Sequence, residues 1–470
     1  MSGPPALSPW AELLRPPHLA PLAMLSLGIG LYAFNTFLVA TALPSAVLEI
    51  GGVALIAWAS TLFLVCAIVA GAGGATLKAR LGARTGLLLG GGAFLAGTLA
   101  CGLAPSMPVL LLGRAWLGAG EGCVAAISYA LIPALFPARL VPKVFAVEAL
   151  VWALAGLAGP VVGGALTEAI SWRAAFLVNA PLGLLFLGLV LATVPRALPG
   201  DAAPAPLARL AALAAGILLV AASSLAGHAA VAALLVAGGG AVLAALIALD
   251  ARSAAPLFPR RAFHPATALG AGLLVVLLMP VAHSFGMIHL TLTLQQGWGF
   301  APTLAGAFFA IGPLAWSGAM MLVANLRHPA VPTLGIRLGP PLLLLGLAGQ
   351  LAATAAGAPW ALLPFLLATG ASFGIGWAFL SIAVMNAAEP GDRDRAAGLV
   401  PTVQSAGYAI GAALTGLAAS VAGLDGTSPA ALPPAFAVVT ACGLLPAAVA
   451  AWISLGRRAW PASEATAHSR

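Results

Sequence analysis

Residues 109–164 read VLLLGRAWLGAGEGCVAAISYALIPALFPARLVPKVFAVEALVWALAGLAGPVVGG. Two apolar segments, each of membrane-spanning length, are joined here by a short loop carrying Arg139 and Lys143. Inside them sit Arg114, Glu121 and Glu148, the charges that the sequence puts well within the hydrocarbon. A charge at that depth costs on the order of 3 kcal/mol or more unless it is paired or faces a wet cavity. Three such charges in two neighbouring segments need a reason, and transport is the default one.

The rest of the chain has the same character. Its 470 residues are 61% hydrophobic and only 7% charged, with mean hydropathy +1.07. A soluble fold of this length could not hide that much apolar surface. Repeated apolar runs of about 20 residues therefore mark a polytopic α-helical membrane protein. The 56 glycines and 37 prolines suit membrane helices, where small residues permit close packing. The net charge of +8 is scattered singly or in pairs between apolar runs, which speaks against a nucleic-acid partner. Cys66, Cys101, Cys123 and Cys442 lie in apolar segments without CxxC spacing, so neither a disulfide framework nor a metal site is expected. There is no P-loop, calcium loop or H-E-x-x-H, and no cofactor is expected. Met1 to Pro21 lacks the basic-then-apolar start of a cleavable signal.

Hydropathy divides the chain into fourteen spans, near 20–43, 52–74, 85–104, 108–134, 144–167, 174–194, 208–226, 229–249, 267–293, 303–323, 336–355, 359–385, 396–421 and 432–455. The pattern is six, two, six: a bundle in 1–195, an inserted pair in 196–264 and a second bundle in 265–470. Lys78, Arg80, Arg84, Arg139, Lys143, Arg196, Arg209, Arg252, Arg260, Arg261, Arg327, Arg337, Arg393, Arg395, Arg457 and Arg458 fall on one side of this scheme. Arg173 is the one basic residue on the other. Positive-inside bias then puts both termini in the cytoplasm. The inserted pair holds few polar groups beyond Ser223 and Ser224 and is expected outside any transport cavity.

Arg114 and Glu121 are seven residues apart, on one face of the fourth span and ~10 Å apart along its axis. Glu121 lies about 20 Å from the outer edge of that span and Glu148 about 7 Å from the inner edge of the next, so their depths nearly coincide in a ~30 Å core. Nearby carboxylates that repel each other's charge suit a proton carrier. Glu148 also has a second reading, as an interfacial residue reaching toward Lys143. Arg114 either greets an anion or holds Glu121. His283 and His289 titrate near neutral pH when unperturbed, but six residues apart they do not stack on one face. Asn35, Trp116 and Gln404 are further candidates for contact with cargo.

Several local patterns resemble the major facilitator superfamily, and within it the fourteen-helix drug:proton antiporters. After the second span, Ala75-Thr76-Leu77-Lys78-Ala79-Arg80-Leu81-Gly82-Ala83-Arg84 is similar to the loop signature G-x-L-x-D-R-x-G-R-[KR]; Leu77, Arg80, Gly82 and Arg84 match, and the acid is replaced by Ala79. Arg114-Ala115-Trp116-Leu117-Gly118-Ala119-Gly120 resembles R-x-x-Q-G-x-G with Leu117 in place of glutamine. Gly159-Pro160-Val161-Val162-Gly163-Gly164 resembles the antiporter signature G-P-x-x-G-G, followed by Ser171-Trp172-Arg173 and Asn179-Ala180-Pro181-Leu182-Gly183. Thr41-Ala42-Leu43-Pro44, Ala255-Pro256-Leu257-Phe258-Pro259 and Gln295-Gln296-Gly297-Trp298-Gly299-Phe300 extend the likeness over most of the chain. Where the antiporters often carry a span-one acid shortly before A-L-P, this chain has Asn35 at or near the site.

The resemblance implies two six-helix bundles that rock about a central cavity in an all-α polytopic membrane protein. It also implies a non-enzymatic, proton-coupled exporter of an amphipathic or hydrophobic small molecule, such as a drug, lipid or siderophore-like metabolite. Glu121 is expected as the main coupling residue, with Glu148 secondary and Arg114 beside them. A proton-coupled importer or a uniporter on the same fold is the alternative. The expected partners are cargo, protons and the bilayer of a bacterial inner membrane, with the chain acting as a monomer.

Overall fold

The computed structural model describes residues 9–456 apart from 138, 197–206, 254–257, 259–261, 263, 327, 390–392 and 425–427. Helices form because in hydrocarbon every backbone N–H and C=O must be bonded within the protein. Among the described residues there is no strand.

After a short helix at Pro9–Leu13, α1 spans Pro16–Ile50, α2 Ile56–Leu81, α3 Ala83–Gly102, α4 Met107–Leu135, α5 Val141–Ala169 and α6 Trp172–Thr193. The inserted pair is α7, Leu207–Ala222, and α8, Ala229–Asp250. Then follow α9, Ala268–Met287, α10, Pro302–Ala324, α11, Val331–Ala355, and α12, Leu362–Ala387. The last two are α13, Arg393–Val421, and α14, formed by Leu432–Cys442 and Leu444–Gly456. Among the described residues thirteen helices are long and apolar enough to cross a membrane. The segment expected near 396–421 is not among them: α13 has 29 residues, but Thr402, Gln404, Ser405, Tyr408 and Thr415 dilute its apolarity.

Helices packed against one another repeat with an offset of eight. Contacts of α4 with α2 and α3, and of α1 with α5, recur as α12 with α10 and α11, and α9 with α13. The two halves meet where α5 packs on α10 and α2 on α13, contacts that exchange under the same offset. This is the packing of a repeat related by a pseudo-twofold axis. Helix α7 of the inserted pair lies along the α2–α13 contact, where Ile217, Val220 and Ala221 cover Val65 of α2 and Ala409 and Ala413 of α13. Trp58 Nε1 donates to Ser224 Oγ at 3.1 Å, and Arg209 pairs with Asp250 at 2.6 Å to tie α7 to α8.

Each end of the bundle has its own charge pattern. At the end bearing the Gly82 turn, Gly82 takes φ +82°, a conformation that favours glycine, and lets α3 start directly after α2. Arg80 is exposed and Arg84 half-buried there. At the opposite end, beside Ile50, Arg173 lies over Trp172 and pairs with Glu49 at 2.6 Å, while Trp172 Nε1 donates to the same carboxylate. Of the basic residues counted above, Arg260, Arg261, Arg327, Arg457 and Arg458 lie outside the described residues, as do Ala255, Pro256, Leu257 and Pro259 of the P-L-x-P likeness.

Candidate functional site

The glycines of α4 bring its polar residues into the interior. A Cβ on Gly118 would collide with the Phe63 carbonyl of α2, and one on Gly122 with that of Ala67. Backbone approach this close is what small residues at helix interfaces permit. It holds Arg114 at 3% and Glu121 at 2% exposure.

Glu121 is held by α1. Asn35 Nδ2 donates to Glu121 Oε1 at 2.9 Å, whereas Glu121 Oε2 has no protein partner. Arg114 does not pair with it. Its Nε donates to the Ala59 carbonyl at 3.2 Å, its guanidinium lies 4.2 Å from the centre of the Phe63 ring, and Nη1 has no protein partner. Phe63 stacks on Tyr32, which meets the edge of Trp152, so an aromatic row runs from Arg114 to α5.

Glu148 is buried as well, which speaks against the reading in which it reaches for Lys143. Ser26 Oγ donates to Glu148 Oε1 at 2.9 Å, and Lys143 lies instead over the ring of Trp10 at 4.9 Å. Ser26 and Asn35 are nine residues apart, so α1 anchors the two carboxyls at levels about 13 Å apart. The near coincidence of depth expected from counting residues does not hold. That count set both helices across a flat slab, whereas the level of each acid is fixed by its partner on α1.

The other candidates separate. His283 packs edge-on to Phe373 at 5.3 Å and faces Tyr408 at 6.2 Å; Gln404 hydrogen-bonds Tyr408, one turn along α13. His289 is buried elsewhere, with Nδ1 unpartnered. Trp116 is 50% exposed and, two residues from Arg114, lies on roughly the opposite face of α4. Sequence reasoning missed Ser26 and Tyr32, single polar residues in an apolar helix that carry no pattern of their own.

The G-P-x-x-G-G run serves two neighbours at once. A Cβ on Gly159 would come 2.9 Å from Phe37 of α1, and one on Gly163 2.6 Å from the Leu38 carbonyl. Pro160 and Gly164 face α10, where the Pro160 carbonyl leaves no room for a Cβ on Gly306 and Pro302 none for one on Gly164. At this Ile50 end polar contacts join the halves. Gln295 Nε2 donates to the Thr41 carbonyl at 2.9 Å, Gln296 Nε2 to that of Pro44 at 2.8 Å, and Thr303 Oγ1 to Glu168 at 2.6 Å. The two glutamines reach α1 from a π-helical turn, Thr293–Gly297, that extends α9.

Two repeated helical halves, a seam joined at one end and buried carboxyls inside one half define a multi-pass membrane carrier. The chain belongs to the major facilitator superfamily, whose profile matches residues 25–412. It is 31% identical over 460 residues to a probable multidrug-efflux transporter of Mycobacterium tuberculosis, covering 93% of this chain and 95% of that one. Its fold is similar to that of a peptide transporter of the POT family in complex with sulfate, with TM-score 0.67 and 14% identity over 92% of this chain and 94% of the other. A D-xylose–proton symporter superposes with TM-score 0.63 and 15% identity over 93% and 97%.

Proposed function

We propose that the protein exports an amphipathic or hydrophobic small molecule in exchange for protons, by alternating access, with Glu121 as the main coupling residue. The observation that carries this reading is the half-engaged Glu121 carboxyl: one oxygen is bound by Asn35, and the other is free to take or lose a proton inside the packed first half. A proton there removes a buried charge, and its loss restores one that Arg114, on the same helix, can feel. Movement of α4 relative to α1 changes both terms, which links the protonation state to which end of the seam is open. Glu148, held by Ser26, is the secondary site. The resemblance of the chain to a probable multidrug-efflux transporter favours export.

In this reading the bundles are 1–195 and 265–470, with 196–264 inserted, and α13 is a span despite its polar residues, giving fourteen. The basic Gly82 end with both termini faces the cytoplasm of a bacterial cell, so the joined Ile50 end is external and the carrier faces inward. Asn35 takes the place of the antiporters' span-one acid by orienting an acid from α4 instead of titrating itself.

Proteoliposomes of known orientation test this. With a pH gradient imposed, wild type is expected to accumulate cargo uphill and Glu121→Gln to lose all uphill accumulation at matched protein levels. Equal accumulation by both would remove Glu121 from the coupling role, and counterflow without proton movement would favour a uniporter.

A further inference from the structure

At the Ile50 end the two halves line a cavity of about 110 Å³. Its polar wall comes from Thr36 of α1, Ser60 of α2, Arg114 of α4 and Thr291 in the extension of α9. The remainder is apolar, with Leu43 and Phe309 on opposite halves of the chain. No carboxylate lines it, so the charge at its wall is the Arg114 guanidinium.

That guanidinium is under-used. It is 3% exposed, gives one hydrogen bond to a backbone carbonyl, and makes no ion pair among the described residues. Its natural neighbour, Glu121, is engaged by Asn35. A buried guanidinium offers five donors in a planar fork that matches a carboxylate, and leaving such donors unmet is costly. The hydroxyls of Thr36 and Thr291 are committed to the carbonyls of Tyr32 and Ala40, which leaves Ser60 to supply one further donor. One positive fork, one hydroxyl and an apolar remainder make a selective arrangement. It suits a compact anionic head joined to a hydrocarbon body and discriminates against ammonium heads.

We infer that this cavity seats the carboxylate of an amphipathic anion, held by Arg114 with Ser60 and walled by apolar side chains from both halves. The inference rests on the export reading for calling this ligand cargo, and narrows that cargo to organic acids. Because groups from both halves line the cavity, an anion bound there bridges them and favours the conformation joined at the Ile50 end.

Equilibrium binding to the full-length protein in lipid nanodiscs, without any pH gradient, tests the inference with radiolabelled octanoate, octanol and octylamine against empty discs. Octanoate is expected to bind saturably, and the neutral and cationic analogues at least about tenfold more weakly, the size of one lost charge-assisted hydrogen bond. Arg114→Gln is expected to reduce octanoate binding to the level of octanol, and Arg114→Lys to restore part of it. Ser60→Leu, which fills the cavity and leaves the charge alone, is expected to weaken octanoate as well and serves if the Arg114 variants do not fold. Octanol or octylamine binding as tightly as octanoate to wild type would overturn the inference, as would undiminished octanoate binding by Ser60→Leu. Since no gradient is present, failure here leaves the coupling test of Glu121 standing, and failure of Glu121→Gln to uncouple leaves this result standing.

Discussion

Helices α4 and α12 occupy equivalent places in the two halves and solve their packing in the same way. Gly118 and Gly122 of α4 press on the backbone of α2, and Gly370 and Gly374 of α12 press on Gly312 and Trp316 of α10. On the next face Gly120 meets α3 as Gly376 meets α11. Between the glycines the helices part company. Counted from the first glycine of each pair, the place of Glu121 is taken in α12 by Phe373 and that of Arg114 by Leu366, both fully buried. The partner from the first helix of each half changes to match: Asn35 bonds to Glu121, while His283 packs on Phe373. Phe373 also stacks on Trp316 at 4.8 Å. One backbone solution thus carries a polar, chargeable centre in the first half and an aromatic one in the second. Glycine spacing sets the packing, and two interleaved positions set the chemistry.

The harshest way to break this equivalence is to fill a glycine. Gly122→Leu and Gly374→Leu each put side-chain atoms where a facing carbonyl sits. Backbone cannot yield as side chains do, so the cost should exceed the roughly 1–3 kcal/mol of ordinary overpacking. Both variants are expected to lose the folded, monodisperse protein in detergent. Survival of one but not the other would show that the halves do not share one packing logic.

The next largest effect separates packing from chemistry. Phe373→Ala should cost about 3 kcal/mol of stability, through lost burial and an unfilled space among Trp316, Trp377 and His283, while the folded fraction keeps its proton coupling. Thermal melts alongside gradient-driven uptake check this. Uncoupling by Phe373→Ala in protein that still folds would mean the aromatic centre takes part in the chemistry.

Much of this was legible in the sequence because membrane helices are specified by apolar length, and charges inside them stand out. The choice of residues 109–164 rests on those two signals, and the thirteen helices long and apolar enough to cross a membrane among the described residues lie close to expected spans. Helix ends ran long: α1 begins at Pro16 and continues to Ile50, because a helix does not stop where the hydrocarbon does. Hydrogen-bond partners were not legible. Asn35 was recognised by its position before A-L-P, but its bond to Glu121 depends on how α1 and α4 meet, and so does the separation of Glu121 from Glu148. The bonding of Arg114 was equally hidden: seven-residue spacing left open whether it meets an anion or holds Glu121, and its one hydrogen bond, to the Ala59 carbonyl, depends on how α2 and α4 meet.

A smaller change probes the polar centre itself. Asn35→Ala removes the single donor to Glu121 and leaves a buried carboxyl without a protein hydrogen bond. The expected cost is about 1–3 kcal/mol in stability. The pH dependence of transport is also expected to move, because the bond that orients Glu121 is gone. An unchanged pH profile in a folded Asn35→Ala protein would mean that Asn35 only fills space beside Glu121.

The smallest effect lies outside both centres, at the Gly82 end, where among the described residues a short N-terminal helix folds back on the first half. Leu13 of the Pro9–Leu13 helix is fully buried, Trp10 lies under Lys143, and Glu12 accepts two bonds from Arg139, 3.2 Å from Nε and 2.5 Å from Nη2. Those hydrogen bonds from Arg139 hold the Glu12 carboxyl below its usual range, and the same contact raises Arg139. A carboxyl whose docked value is depressed stabilises docking above its undocked value and loses that contribution as pH falls through the docked value. The pair is solvated, so salt should weaken it and its share should be modest beside the burial of Leu13. A nitroxide at Leu14→Cys, an exposed neighbour, would read docking as a broadened spectrum. At neutral pH, Glu12→Gln is expected to sharpen that spectrum slightly relative to its parent, with the difference vanishing in acid as the parent's Glu12 takes up its proton. A difference that persists at low pH would assign the effect to packing of the segment and not to the Glu12–Arg139 pair.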